Sequence, residues 1–295
     1  MLYVVINCER HKDRLERFKK HAFKSGLLNV HVQPCVDAKQ WTFSDICKLE
    51  KGNILVRRTT APGYSQEDFR ISEVAISLSH IECWKKLVSS NEEFMCVFED
   101  DVMMKPNFNK YVGKIMEQLP SLLNKNSRTR QVTFDIIHLV NGNWAKTHKY
   151  YQPDKTYDIQ TGNKSFKLFR ENKQYNAGAG CYIIRKAFAK ALLEKVYPIR
   201  KPIDNFIGDV GFTKYVHLVV KFKEIGKTDT NPNPKFFDSP LVKVDIPYMD
   251  SKKSTHQTDS KSKAGKMKYV PCTPREISKS KRESNSKHKS NFKHA

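Results

Sequence analysis

The chain has no run of 18 or more apolar residues, so no segment reads as a transmembrane helix. The opening MLYVVINCER carries an apolar run too short for a secretory signal, with no basic residues ahead of it. None of the seven cysteines forms a CxxC pair. An odd, scattered set predicts reduced thiols, a cytoplasmic chain and no zinc site. There is no GxxxxGK[ST] loop. NAGAGC, at 176–181, is not GxGxxG and precedes a strand rather than opening a helix, which excludes a Rossmann cofactor fingerprint.

Apolar residues are also scarce, at 39% against 28% charged. The deficit concentrates in 251–295, where 13 Lys+Arg face 3 Asp+Glu, a net +10 of the chain's +22. The chain therefore divides into a domain at 1–250 and a basic low-complexity tail at 251–295, predicted disordered. The positive charge points to a polyanionic partner (nucleic acid, an acidic lipid surface or a phosphorylated sugar donor) or to a solvated Lys-rich surface. For the tail, the expectation is a weak, salt-sensitive contact with a polyanion or membrane surface, or solubility alone. The aromatics follow core periodicity rather than interleaving with the basic runs, so no specific nucleic-acid partner is expected.

What is present alternates between strand and helix signals. LYVVIN, at 2–7, is a continuous apolar run suited to a strand covered on both faces. A helix follows with Leu15, Phe18, Ala22 and Phe23 on one face and Gly26 as its stop. NVHVQPCVDA supplies a second strand, making a βαβ unit and a parallel sheet. The stretch 39–66 reads as irregular and polar, with Trp41 and Phe43 as anchors. In ISEVAISLSHIECWKKLVSS the residues Ile71, Val74, Leu78, Ile81, Trp84 and Val88 recur at helical spacing. Strands are then predicted at 95–98, 134–140 and from 216, and a strand followed by a helix in GCYIIRKAFAKALLEKV. The fold class is α/β.

The strand at 95–98 ends abruptly in Glu99, Asp100 and Asp101. In open α/β sheets ligands sit beyond the carboxyl ends of strands. Strand alternation would aim Glu99 and Asp101 at one point and Asp100 away. Two converging carboxylates make half of a hard-cation site, open to Mn²⁺ or Mg²⁺ with water and phosphates completing it. Such an ion would also stabilise a departing diphosphate. The bland reading is a surface acidic patch. Gly178 and Gly180 mark either close backbone packing at a strand start or close approach to a sugar.

Several of these pieces together resemble glycosyltransferase family 25, the lipooligosaccharide and procollagen galactosyltransferase group. VVINCERHKDRLERF is similar to the family's opening strand and helix, with Asn7, Arg10, Asp13 and Arg14 at its polar positions. SEVAISLSHIECWKKLV matches its next helix through Glu73, Ser79, His80 and Trp84. VFEDDV resembles its acidic motif, and AGAGCYIIRKAFAKALLEK followed by PIDNF resembles its late strand, helix and Pro-x-Asp element. The order holds over roughly 2–210. Cys8 and Glu9 depart from the usual residues after Asn7.

The resemblance implies a GT-A type fold: a Rossmann-like mixed, mostly parallel sheet flanked by helices. It implies transfer of a hexose, galactose or glucose, from a UDP-sugar with inversion, aided by Mn²⁺ or Mg²⁺. The acceptor would be a hydroxyl of a lipooligosaccharide-like glycan or of a hydroxylysine-like protein. The expected metal ligands are Asp101 and Glu99. Asn7, Arg14, Asp100 and Glu73 are expected donor contacts; Arg14 on an exposed face beside Asp13 or Glu16, and Glu73 as a helix-start charge, are the alternatives. An inverting transfer needs a base, and Asp204 is expected to be it, with Asp209 second; Asp204 also suits a helix N-cap. His80 is either an active-site residue or a hydrogen-bonded buried histidine. His217 and His256 are candidate further ligands. The competing function is a catalytically inactive relative binding a polyanion or partner.

Overall fold

A computed structural model describes residues 1–56, 71–124, 134–140, 156–162, 165–170, 178–220 and 226–228. The boundary at 250, the basic tail, His256 and the side chain of His217 lie outside what it describes. The strands are β1 (Leu2–Asn7), β2 (His31–Pro34), β3 (Phe94–Glu99), β4 (Val102–Met104), β5 (Ile136–Val140), β6 (Thr156–Gln160), β7 (Ser165–Arg170), β8 (Cys181–Arg185), β9 (His217–Val220) and β10 (Gly226–Thr228). The helices are α1 (Lys12–Lys24), α2 (Phe43–Lys51), α3 (Ile71–Ser89), α4 (Phe108–Asn124), α5 (Lys186–Leu193) and α6 (Ile203–Lys214).

Eight strands form one sheet in the order β2-β1-β3-β8-β5-β9-β7-β6, and β4 pairs with β10 separately. β1 runs parallel to β2 and β3, and β5 parallel to β9. β8 runs against β3 and β5, and β7 against β9 and β6. Six strands thus share one direction, and only β7 and β8 oppose it. This is the mixed, mostly parallel sheet expected.

Strand alternation divides the core into two layers. Val5, Cys96, Phe98, Ile137 and Ile183 face α1 and α4 through Phe18, Ala22, Phe108, Val112 and Ile115. Val4, Ile6, Met95, Val97, Tyr182 and Ile184 face α2, α3, α5 and α6 through Ile46, Ile81, Trp84, Phe188 and Ile207. The carboxyl ends of β1, β2, β3 and β5, with the start of β8, meet at one edge. By the same topology α3 and α6 both begin toward that edge, because each runs into a strand that starts at the other.

Several local readings need correction. Phe23 is 72% exposed and does not join the α1 face. The stretch read as irregular holds α2, started by a capping box in which Thr42 Oγ1 accepts from the Asp45 N–H and Asp45 accepts from the Thr42 N–H. The thiols are not all reduced: Cys8 and Cys35 form a disulfide with Cα atoms 4.8 Å apart. Parallel pairing of β1 with β2 brings their carboxyl ends together, Asn7 against Pro34. That places Cys8 opposite Cys35, which sequence spacing alone does not reveal. Cys47 is also disulfide-bonded, whereas Cys83, Cys96 and Cys181 are free and buried.

Candidate functional site

The site is built where β1 and β3 end side by side. Asn7, the last residue of β1, is buried. Its amide donates to Asp100 Oδ2 at 2.6 Å and to the His11 carbonyl at 3.1 Å. A short 3₁₀ turn at Glu9–His11 then leads into α1, whose Arg14 turns back to pair with Asp100 and stands 3.6 Å from Asp101 Oδ2. The alternative of Arg14 on an exposed face is set aside, since Arg17 is the residue beside Asp13. Arg10 pairs with Asp37, which caps the turn after β2, and the disulfide closes the same corner. A cleft of about 500 Å³ opens there, lined by Glu9, Arg10, Lys12, Asp13 and Gln40.

β3 ends at Glu99, and Asp100 and Asp101 form a turn before β4. The alternation expected of three strand residues therefore does not apply. Asp100 and Asp101 share Arg14, and Glu99 points to the α3 layer. There its Oε1 lies 3.4 Å from His80 Nε2, and its own N–H is bonded to the Gly180 carbonyl at 2.8 Å. Gly178 has φ +74°, a conformation that suits glycine, and its carbonyl is 2.8 Å from His138 Nδ1. Gly180 therefore packs its backbone against the end of β3, at Glu99.

The electrostatics single out Asp101. Burial raises the Asp100 pKa, opposed by Arg14 and the Asn7 hydrogen bond. Asp101 is pushed up to about 7, by burial first and then by the Glu99 charge. Its side chain is one-third exposed, yet Oδ1 is inaccessible and has no hydrogen-bond partner. A buried carboxylate oxygen left unpaired is costly, and a cation shared with Glu99 would relieve it. Among the described residues no three His, Cys, Asp or Glu side chains gather as a metal nest. The donor set fits a hard ion only as two carboxylates completed by substrate oxygens and water.

Of the remaining candidates, His80 meets the site from the core side, with Nε2 toward Glu99. His80 is fully buried on α3. Ser79 is structural: it accepts from the Val36 N–H and donates to the Ala75 carbonyl. Glu73 lies in the first turn of α3, toward the carboxyl edge. Asp204 lies in the first turn of α6, past the N-cap position, where its Oδ1 accepts from the Asn205 N–H at 2.8 Å. Asp209 pairs with Lys201 beside a cleft of about 470 Å³ that Arg200 and Phe206 also line. These contacts of Asp204 and Asp209 do not reach the acidic turn. Sequence reasoning missed Asp37 and Tyr182; a tyrosine inside the apolar stretch that begins β8 was the available signal for the latter.

A sheet of this kind defines an α/β protein whose ligands sit beyond the carboxyl ends of its strands, where these carboxylates lie. The family model described as Glycosyltransferase family 25 (LPS biosynthesis protein) matches residues 2–207. The chain belongs to glycosyltransferase family 25. It is 30% identical over 113 residues to a glycosyltransferase 25 family member of Aedes aegypti, and 29% identical over 115 residues to procollagen galactosyltransferase 2 of Mus musculus. Those stretches cover 38% and 39% of this chain and 18% of each relative. It is also 32% identical over 76 residues, 26% of this chain and 12% of the relative, to the probable inactive glycosyltransferase 25 family member 3 of Rattus norvegicus. The inositol-1-phosphate CTP transferase of T. maritima aligns over 83% of this chain and 96% of its own at 12% identity, with a TM-score of 0.38, too low to bear on function. No described helix is long and apolar enough to cross a membrane.

Proposed function

We propose that this glycosyltransferase moves a hexose, galactose or glucose, from a UDP-sugar to a hydroxyl of a glycan or protein, with inversion. The observation that carries the reading is Asp101 Oδ1, buried and unpaired beside Glu99 at the carboxyl edge. In this reading Glu99 and Asp101 hold Mn²⁺ or Mg²⁺, which when bound neutralises charge developing on the leaving diphosphate. Asn7 and Arg14 hold Asp100 fixed at the donor side. Asp204, at the start of α6, takes the proton from the acceptor hydroxyl as it attacks. Support for galactose comes from the mouse relative's name, and for a glycan acceptor from the family's description.

A second reading, an inactive relative, is favoured by two observations. Arg14 already supplies a cation to Asp100 and Asp101, and one relative is named as probably inactive. Hydrolysis of a UDP-sugar panel without acceptor, in Mn²⁺ and in EDTA, separates the two. Slow UDP release that needs Mn²⁺ and vanishes in Asp101→Ala is expected. No release with any donor contradicts the transferase reading.

A further inference from the structure

Behind Glu99 stands a line of polar groups inside the apolar layer. Trp84, Tyr182 and His80 are all 0% exposed. Trp84 Nε1 donates to Tyr182 Oη at 3.0 Å, Tyr182 Oη lies 2.9 Å from His80 Nδ1, and His80 Nε2 lies 3.4 Å from Glu99 Oε1.

Donor and acceptor inventory fixes the direction of this line. The indole N–H only donates, so Tyr182 oxygen is its acceptor. The hydroxyl's single proton then needs an acceptor of its own, and His80 Nδ1 is at hydrogen-bond distance. A neutral imidazole that accepts at Nδ1 carries its proton on Nε2, and that N–H faces the Glu99 carboxylate. The other tautomer would strand the tyrosine proton and set a nitrogen lone pair against a carboxylate oxygen. An imidazolium would strand the tyrosine proton too. Each failure leaves a buried polar group unpaired. The 3.4 Å separation at Glu99 is long, as hydrogen bonds in ligand-free sites often are.

We infer that Trp84 and Tyr182 are positioning residues that lock His80 as its Nε2–H tautomer, so that His80 holds the Glu99 carboxylate in place without bringing charge to it. The arrangement matches the outer-shell partners that orient metal-ligating carboxylates, whose loss weakens metal binding by roughly 10–100-fold. The consequence for the donor rests on the function proposed above; the tautomer does not.

Two measurements on the full chain test this. Long-range ¹H–¹⁵N correlation on histidine-labelled protein, without metal or nucleotide, reads the tautomer directly. His80 is expected protonated at Nε2 and bare at Nδ1; protonation at Nδ1 overturns the relay. The second compares His80→Gln with His80→Asn in Mn²⁺ binding in the presence of UDP. Glutamine places an amide N–H near the Nε2 position and should keep affinity within about 3-fold. Asparagine reaches only the Nδ1 position and should lose about 10-fold or more. Equal affinities in two folded variants overturn the positioning role. Wild-type protein that shows the expected tautomer but binds no Mn²⁺ with UDP overturns the proposed function and the role in donor binding, and leaves the relay itself standing.

Discussion

Glu99 and Asp100 are adjacent in sequence, and the two layers of the molecule hold them by opposite means. On the α1 side Asp100 is nearly buried, and a cation and an amide meet it: Arg14 and Asn7. On the α3 side Glu99 is one-third exposed, and a neutral chain of hydrogen bonds reaches it from the core. Asp101 lies between them, with one oxygen near Arg14 and the other unpaired. The contrast teaches where charge is settled and where it is left open. Charge is neutralised locally beside α1, orientation is supplied without charge beside α3, and the unbalanced carboxylate collects at the point where a ligand would sit. The two means should also fail differently, since stripping a buried charge of its partner costs more than breaking one neutral hydrogen bond.

The largest effect should come from the corner that holds the α1 side together. Cys8 and Cys35 close a loop of sequence separation 27, and constraint of the unfolded chain by such a loop stabilises by about 3 kcal/mol. Urea unfolding of the Cys8→Ala/Cys35→Ala double variant should show a loss of that order, and an unchanged midpoint would remove the disulfide from the account. Next is Arg14→Met, which leaves Asp100 buried without its cation. A loss of about 2 kcal/mol is expected, after discounting for the partial exposure of Arg14. Adding Asp100→Asn should recover most of it. A single variant as stable as wild type would erase the contrast between the layers.

The third prediction concerns the α3 side. Burial lowers the His138 pKa to about 4, partly opposed by its hydrogen bond to Gly178. The unfolded chain takes up this proton near pH 6.5, whereas the folded chain resists until about pH 4. Between those values the unfolded state binds more protons, so stability falls as pH falls. About 1.5 kcal/mol should be lost between pH 6.5 and 5, and a His138→Gln variant should lose that much less over the same range. Parallel pH profiles for the two proteins would contradict this.

Much of the frame was legible because periodicity reports burial. The run 2–7, the α3 stripe and the apolar stretch before Glu99 each became the element expected. α4 was missed although Phe108, Val112, Ile115 and Leu119 form a helical stripe; the polar residues between them hid the period. β6 and β7 were missed although TYDIQ and SFKL alternate polar with apolar residues; both runs are short and set among polar, Lys- and Asn-containing sequence that hid them. In the site, the acidic triplet and its polar companions Asn7 and Arg14 were visible as residue types. Their division was not, since β3 ends at Glu99 and a turn follows, which breaks the strand alternation. Contacts between distant segments, Tyr182 with His80 or Cys8 with Cys35, depend on register across the sheet, and residue spacing along one chain does not encode it.

The central claim is that Asp101 is left unpaired for a cation bound with the donor. Calorimetric titration of Mn²⁺ in the presence of UDP, on wild type and on Asp101→Asn, tests it most directly. The account predicts binding by the wild type and a loss of at least about 100-fold in the variant. It also predicts that the metal-free variant melts higher than the wild type, because a buried like charge has been removed. Equal Mn²⁺ binding by the two proteins would contradict the claim.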